Sequence, residues 1–574
     1  MTSSRSLFWR LVGIVSVPGA ASLLFWFGPL AASAAQAAAP PIVRAIDDSS
    51  LFVPPGGNAL EEVVTLNREV PLTLLRAPLG ARIQFADWPV APGVRRTVTL
   101  ERHDIYAADA KIVKIVPEGI VEVPRSRWLF YWGDDAEGAS RIVVSVDPDD
   151  ATLHAMSMSD EGASELTLQP GGASPRYRLA DPTASTPGGV PPAWTCGAEA
   201  LPPEPPSHPG ERPLWIGQES LNPQSVESVN KSAVVAIDTD NEYMLNRFAN
   251  NTTNAVNWIA SLIANTNVIY ERDVSLHLFQ GYTILRLSTT ADPYVTGASG
   301  NADGTKLSDF GNYWSTHYGS IKRTVAAMLS GKQPGGGASG IAWISGLCSS
   351  SVGYSFNQLF TSAYLFGDTL IFGHEVGHNF GSPHTHCYSP PADNCYNGEA
   401  GCYPGPTSCP ATLNINGYSA TGTLMSYCHL SPCNSTTTLA FHPRTLTEYF
   451  NARITTAISN GCIFNVGGSL PAGPTVSNIS PPNGTTAGGT SVTITGTNFS
   501  LRPKPTVSFA DLSGSVSLTV GAVTSTSITA TTPAHAAGVM DVVVMNSDYQ
   551  TATFAGGFTY TSVVSPPTVT AVTP

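Results

Sequence analysis

The chain is poor in charge. Only 12% of its 574 residues are Asp, Glu, Lys or Arg, about half the usual share, and no basic run of any length occurs. With a net charge of −13 and a pI near 5.3, the basic footprint of a nucleic-acid binder is absent, and no nucleic-acid partner is expected. No Cys-x-x-Cys pair occurs, which argues against a structural zinc cluster. No acidic loop suited to calcium stands out. Beyond the N-terminal region no segment is apolar enough to span a bilayer. What is abundant is Gly (53) and Pro (46), with many Ser and Thr, as suits an exported, turn-rich protein.

The N-terminus carries the one long apolar run. Arg5 and Arg10 begin it, it covers residues 11–30, and Ala32-Ser33-Ala34 offers a small-residue cleavage site. This is the layout of an export signal over residues 1–34. Its removal would leave a secreted, extracellular protein with no stable membrane insertion; an uncleaved anchor is the alternative, because the run is long for a signal. Nine cysteines in an exported chain imply disulfides with one thiol left over. Eight fall between Cys348 and Cys462, while Cys196 stands alone upstream in a Pro-rich stretch. Cys387, Cys395, Cys402, Cys409, Cys428 and Cys433 crowd one segment and read as a loop stapled over or beside a cleft. Six cysteines allow fifteen pairings, and the sequence does not choose among them.

The chemistry concentrates in His374-Glu375-Val-Gly-His378-Asn-Phe-Gly381-Ser-Pro-His384. A helix capped by Asp368 or Thr369 and running to Phe380 places His374 and His378 one turn apart on one face. Phe372, Val376 and Phe380 lie roughly 200° around the same helix and can face a core. Glu375 is offset by about 100°, beside a metal without binding it. A straight helix would carry His384 about 15 Å further along the axis. Gly381 permits a left-handed helix end and Pro383 prevents resumption, so the chain can fold back and bring His384 as a third ligand. Three neutral imidazoles leave one tetrahedral position for water, the catalytic rather than the structural zinc arrangement. Glu375 is then the general base, and later the general acid to the leaving amine. The reaction expected is hydrolysis of protein or peptide substrates.

Gly422-Thr-Leu-Met425-Ser-Tyr427 lies about forty residues downstream, where a methionine turn is found beneath the zinc of metzincin metalloproteases. The chain resembles that clan, and GHEVGHNFGSPH resembles its adamalysin (reprolysin, ADAM-type) branch, over roughly residues 213–465. The resemblance implies His374, His378 and His384 as zinc ligands, Glu375 as base, Met425 as the floor of the site, and a Cys348–Cys462 disulfide. Relatives commonly bind calcium as well, although this sequence shows no motif for it. Two residues depart from the branch. Thr385 stands where adamalysins have Asp, so that carboxylate contact is expected to be missing. Met425-Ser-Tyr427 is more like the serralysin and astacin turn, which makes Tyr427 either a fifth ligand or oxyanion donor, or a packed aromatic. His386 is expected to be a loop residue. Cys196-Gly in a flexible segment resembles the cysteine switch of metzincin proenzymes, whose thiolate holds the zinc position that water needs; the alternative is a free or intermolecularly paired cysteine.

These readings give a multidomain fold class: a β-rich prodomain, an α/β metzincin catalytic domain and an all-β immunoglobulin-like sandwich. Residues 35–212 hold short alternating runs such as Ile112–Val116 and Arg141–Val146, then a Pro-rich linker from Pro187 to Pro213 with maturation near Glu211-Arg212. Residues 213–465 are expected to open with strand 233–237. A helix over 242–266, strands over 274–278 and 283–287, a helix over 307–316, an exposed edge strand over 340–344 and a helix over 444–458 follow. Residues 474–562 alternate strictly around turn residues and resemble an IPT/TIG domain, a spacer or a surface- or glycan-binding module. Residues 567–574 repeat its opening motif. The competing reading is a catalytically silent metzincin-domain adhesion protein acting through that sandwich, although Glu375 and all three histidines are present.

Overall fold

The computed structural model describes residues 42–52, 61–159, 161–169, 175–182, 194–198, 201, 231–294, 300–332, 338–360, 364–415, 418–435, 439–465, 474–499, 504–511, 514–546 and 551–562. The expected export signal, the maturation region expected near Glu211-Arg212 and the repeat at 567–574 lie outside these residues.

Among the described residues, 42–182 form a ten-stranded sheet that closes on itself. Strand Ile42–Arg44 pairs in parallel with Arg82–Ala91, and its continuation Ile46–Phe52 pairs with Glu61–Leu66 at the sheet's other end. One bent run therefore serves both ends, removing the open edges as a barrel does. Phe85, Trp88, Tyr131, Val144 and Leu179 fill the interior, and helix Glu69–Arg76 adds Val70 and Leu74 to the same core. The β-rich character read from the alternating runs is present, with one exception. Ile112–Val116 does not belong to the barrel. It leaves as a hairpin with Gly119–Val123 and joins the next sheet.

That sheet is mixed and central. Lys231–Thr239 runs parallel to Leu276–Arg286 on one side and to Val325–Ser330 on the other, and Tyr354–Gln358 continues the parallel order. Ala338–Ala342 is antiparallel to Tyr354–Gln358. The two strands expected over 274–278 and 283–287 are one strand, with a register shift between Val235 and Ile237 of its partner absorbing the irregularity. The helix expected over 242–266 is two pieces, Tyr243–Arg247 and Thr252–Val274. Ala249 and Asn250 take positive φ and break it, and the Asn251 side chain caps the second piece by accepting from Asn254 N. Gly304–His317 covers the run expected over 307–316, and the helix expected over 444–458 is again two pieces, Thr445–Phe450 and Asn451–Ser459. The strand expected over 340–344 begins and ends two residues earlier, and it is not an exposed edge, because Trp194–Cys196 pairs alongside it. The Cys196 segment is thus ordered β-structure within the expected linker.

The C-terminal region is a sandwich of a four-stranded and a five-stranded sheet around Ile494, Phe509, Val542 and Phe558. Among the described residues no helix is long and apolar enough to cross a membrane.

Candidate metal centre

Helix Leu365–Asn379 carries His374, Glu375 and His378, all fully buried. It starts before Asp368, so neither Asp368 nor Thr369 is the cap expected. Tyr364 occupies that position without a side-chain bond. Asp368 instead sits in the first turn, where negative charge suits the helix dipole, and accepts from Trp258 Nε1 at 2.8 Å and Arg247 Nη1 at 3.2 Å. Burial pulls its carboxyl towards neutrality, and the Arg247 guanidinium opposes this. Phe372, Val376 and Phe380 lie in the core on the opposite face. At Gly381 φ is +114°, and Gly381 N closes the last turn on His378 O at 2.9 Å. The chain then folds back and delivers His384.

Cys196 Sγ and one ring nitrogen each of His374, His378 and His384 lie within 4.8 Å of one another. The outer nitrogens are committed. His374 Nδ1 bonds Leu424 O at 2.6 Å, His378 Nδ1 bonds Ser382 O at 2.7 Å, and His384 Nδ1 bonds Glu399 Oε2 at 2.7 Å. Carbonyl and carboxylate oxygens only accept, so each Nδ1 carries the proton and each Nε2 presents a lone pair. His374 Nε2 and His384 Nε2 are buried with no hydrogen-bond partner in the described structure. Buried, unpartnered and convergent acceptors of this kind fit a zinc ion. Burial and the neighbouring imidazoles push His374 well below the ordinary histidine range, and burial takes His378 down to about 3, so both rings are neutral as ligands must be. Burial drives the Glu375 carboxyl well above its ordinary value, and burial with the Glu375 charge does the same to the Cys196 thiol.

The remaining sequence-predicted residues surround this point. Met425 is fully buried, and a Cβ on Gly377 would come within 2.6 Å of its Sδ, so the methionine turn packs against the helix with a glycine making room. Met425 O accepts from Thr385 N at 2.9 Å. Thr385 does reach a carboxylate: its hydroxyl donates to Asp393, supplied by the following loop rather than by the position itself. His386 is buried, and its Nε2 bonds the same Glu399 oxygen at 2.8 Å that His384 uses. Burial opposes the charge of Glu399, but the two histidines hold its carboxyl below the usual range. Tyr427 donates its hydroxyl to Cys196 O at 3.0 Å, with its ring 4.4 Å from that of His384. The cysteine-rich loop is closed by Cys387–Cys402, Cys395–Cys428 and Cys409–Cys433, and Cys348 pairs with Cys462.

The strand Trp194–Cys196 lies over the histidines. Cys196 Sγ is 3.4 Å from His378 Nε2 and 3.8 Å from Glu375 Oε2, and Gly197 N donates to Gly340 O at 2.8 Å. Trp194 stacks flat on His429 at 4.7 Å and meets His374 edge-on at 4.8 Å. Sequence reading missed Trp194, His429, Glu399 and Gly340. The last had a signal, since a glycine inside a strand marks close approach, and a Cβ there would sit 2.1 Å from Glu375 Oε1.

The arrangement of three imidazoles, a carboxylate and a methionine turn agrees with the family comparison. Residues 229–437 match Reprolysin_5, Metallo-peptidase family M12. Residues 474–561 match the IPT/TIG domain, and both resemblances drawn from the sequence are borne out. No curated protein matches the chain. The metallopeptidase match begins after Trp194–Cys196 and excludes the Ile112–Val123 hairpin, so both edges of the central sheet come from outside the matched region.

Proposed function

We propose that this chain is a secreted zinc endopeptidase made as a latent precursor, with His374, His378 and His384 as zinc ligands and Glu375 as general base. The observation that carries the reading is the convergence of three buried imidazole nitrogens, each with its other nitrogen bonded to an acceptor, on one point beside a buried carboxylate. Zinc held there would bring the pKa of a water towards neutrality and polarise a peptide carbonyl. Glu375 accepts the water proton and returns it to the leaving amine, so no covalent acyl-enzyme forms. Gly340 O, now bonded to Gly197 N, offers an extended substrate the same main-chain partner. In the precursor Cys196 Sγ fills the space between imidazoles and carboxylate that water needs, which supports latency. Export rests on the N-terminal Arg and apolar pattern, and surface or glycan contact through the TIG domain on the resemblance alone.

The test is Glu375→Ala in processed protein. Zinc content should stay equal to wild type while peptide turnover falls about 10²–10⁴-fold, and chelation should silence the wild type. Near-normal hydrolysis by the pure variant would remove Glu375 from the mechanism.

A further inference from the structure

We propose that the N-terminal barrel, residues 42–182, is a permanent subunit of the mature protease, and that the part which must leave is confined to the segment around Trp194–Cys196. The proposal rests on the latent-protease reading for the second half only. The first half stands on packing.

Side chains alternate across each barrel strand. In Leu129–Asp135, Tyr131 points into the barrel core, whereas Phe130 and Trp132 belong to the core of the metallopeptidase domain. The pattern repeats in the next two strands, where Val144 and Ala155 face inward while Val143, Met156 and Met158 join the protease core. A face built to depart would carry polar residues; these three strands are instead buried on both sides over most of their length, as interior sheets are. The partner surface is consistent. Every residue of helix Thr252–Val274 from Ile259 onward is buried, covered by the central sheet, by helix Leu365–Asn379 through contacts such as Tyr270 Oη to Gly373 O, and by the barrel through Trp132 Nε1 to Glu271.

Polar groups seal the same contact. Glu271, whose side chain is 1% exposed, accepts from Trp132 Nε1 at 2.6 Å and Arg141 Nη2 at 3.4 Å on the barrel side, and bonds His277 Nδ1 at 2.6 Å on its own. Ser126 Oγ bonds Asn257 at 2.7 Å. Removing the barrel would strip two donors from a buried carboxylate. Backbone continuity adds to this, since Ile112–Val116 is a parallel strand of the central sheet beside Thr283–Arg286, and Ala107 N and Ile105 O both bond Gln280.

Trp194–Cys196 has a different standing. Trp194 and Cys196 enter the same core, but the strand is three residues long and, among the described residues, pairs on one side, with Ala338–Ala342. With the barrel retained, a single cut within 202–230 leaves this strand tethered to the barrel through 183–193, where its effective concentration stays high. Release then requires a second cut, within 183–193.

The experiment inserts a recognition sequence for a site-specific protease into 202–230, into 183–193, or into both of the full-length chain. After digestion, each sample is run on gel filtration under native conditions and in denaturant, and peptide hydrolysis is measured. The expected result is that the barrel fragment co-elutes with the protease fragment after every digestion and separates only in denaturant, while hydrolysis appears only after the double cut. A barrel fragment that elutes alone, leaving a folded, zinc-loaded protease, overturns the first half. Full hydrolysis after the single cut within 202–230 overturns the second. Co-elution is read without activity, so a complex that stays together yet hydrolyses nothing counts against the protease reading and leaves the subunit proposal standing.

Discussion

Two segments from outside the matched metallopeptidase region each extend an edge of the same sheet, and they do so on different terms. At one edge Trp194–Cys196 contributes three residues, held by pairing with Ala338–Ala342, two aromatic contacts and a thiol. At the other, the Ile112–Val123 hairpin is continuous with a barrel whose outer face is part of the protease core. Both edges enter one hydrophobic core, the first through Trp194 and Cys196 and the second through a whole barrel face that includes Phe130, Trp132, Val143, Met156 and Met158. The second therefore buries more apolar surface and is the costlier to remove. One chain therefore uses strand addition twice, on the proposed reading once as a stopper and once as structure.

The largest effect should come from breaking the second edge. Trp132→Ala removes a buried indole and a donor 2.6 Å from Glu271. It should destabilise the protein by about 3–5 kcal/mol, read as a shift in urea midpoint, while the uncut precursor that still folds stays silent. An unchanged midpoint would mean that the barrel merely touches the protease. Cys196→Ala should do the reverse. It leaves the midpoint near wild type but takes the sulfur from among the imidazoles; if that sulfur is worth about 3 kcal/mol, precursor hydrolysis rises about a hundredfold. A precursor as silent as wild type, folded and zinc-loaded, would show that steric cover by Trp194 and the strand suffices.

How far the sequence reported these edges depends on the range of the interaction. The helix of His374 and His378, the turn at Gly381 and the place of Met425 are set by spacing within about forty residues, and periodicity registers such local order well. The start of that helix was misread because Asp368 looks like a cap, yet its partners Arg247 and Trp258 lie more than a hundred residues away. Trp194 and His429 are 235 residues apart, and nothing local in either one announces the other. The barrel face did leave a trace. Leu129-Phe130-Tyr131-Trp132 is a continuous apolar run, and so is Ile142-Val143-Val144 within Arg141–Val146, which the alternation expected above does not describe; such runs mark a strand buried on both faces. What the runs cannot say is which domain lies on the second side.

Glu399 sharpens the comparison from within the site, because it supports His384, the proposed third ligand, whichever edge is intact. Glu399→Gln replaces the oxygen that holds both His384 Nδ1 and His386 Nε2 with a neutral amide of the same shape. Zinc affinity should fall about 10–100-fold, measured by competition with a chromogenic chelator in precursor and processed protein alike. His386→Ala should lie nearer wild type, whereas His384→Ala should lose the metal on dialysis. Equal zinc retention by the two histidine variants would misplace the third ligand.

The smallest effect expected is that of Tyr427→Phe, and it separates two roles that the sequence left open. In the uncut chain the Tyr427 hydroxyl donates to Cys196 O at 3.0 Å, so its loss removes one hydrogen bond from the strand proposed as the stopper. A net value of about 1 kcal/mol corresponds to roughly a fivefold rise in leak activity of the uncut chain. If this bond is all the hydroxyl does, kcat and KM of the processed enzyme stay within about twofold of wild type, because the bond departs with the strand. If the hydroxyl also serves the transition state as an oxyanion donor, kcat of the processed variant falls about 10²-fold or more while the leak of the precursor is masked. Under the first role only the leak of the precursor changes, and under the second only kcat of the processed form falls, so assaying both forms of one variant assigns the tyrosine to the stopper or to the chemistry.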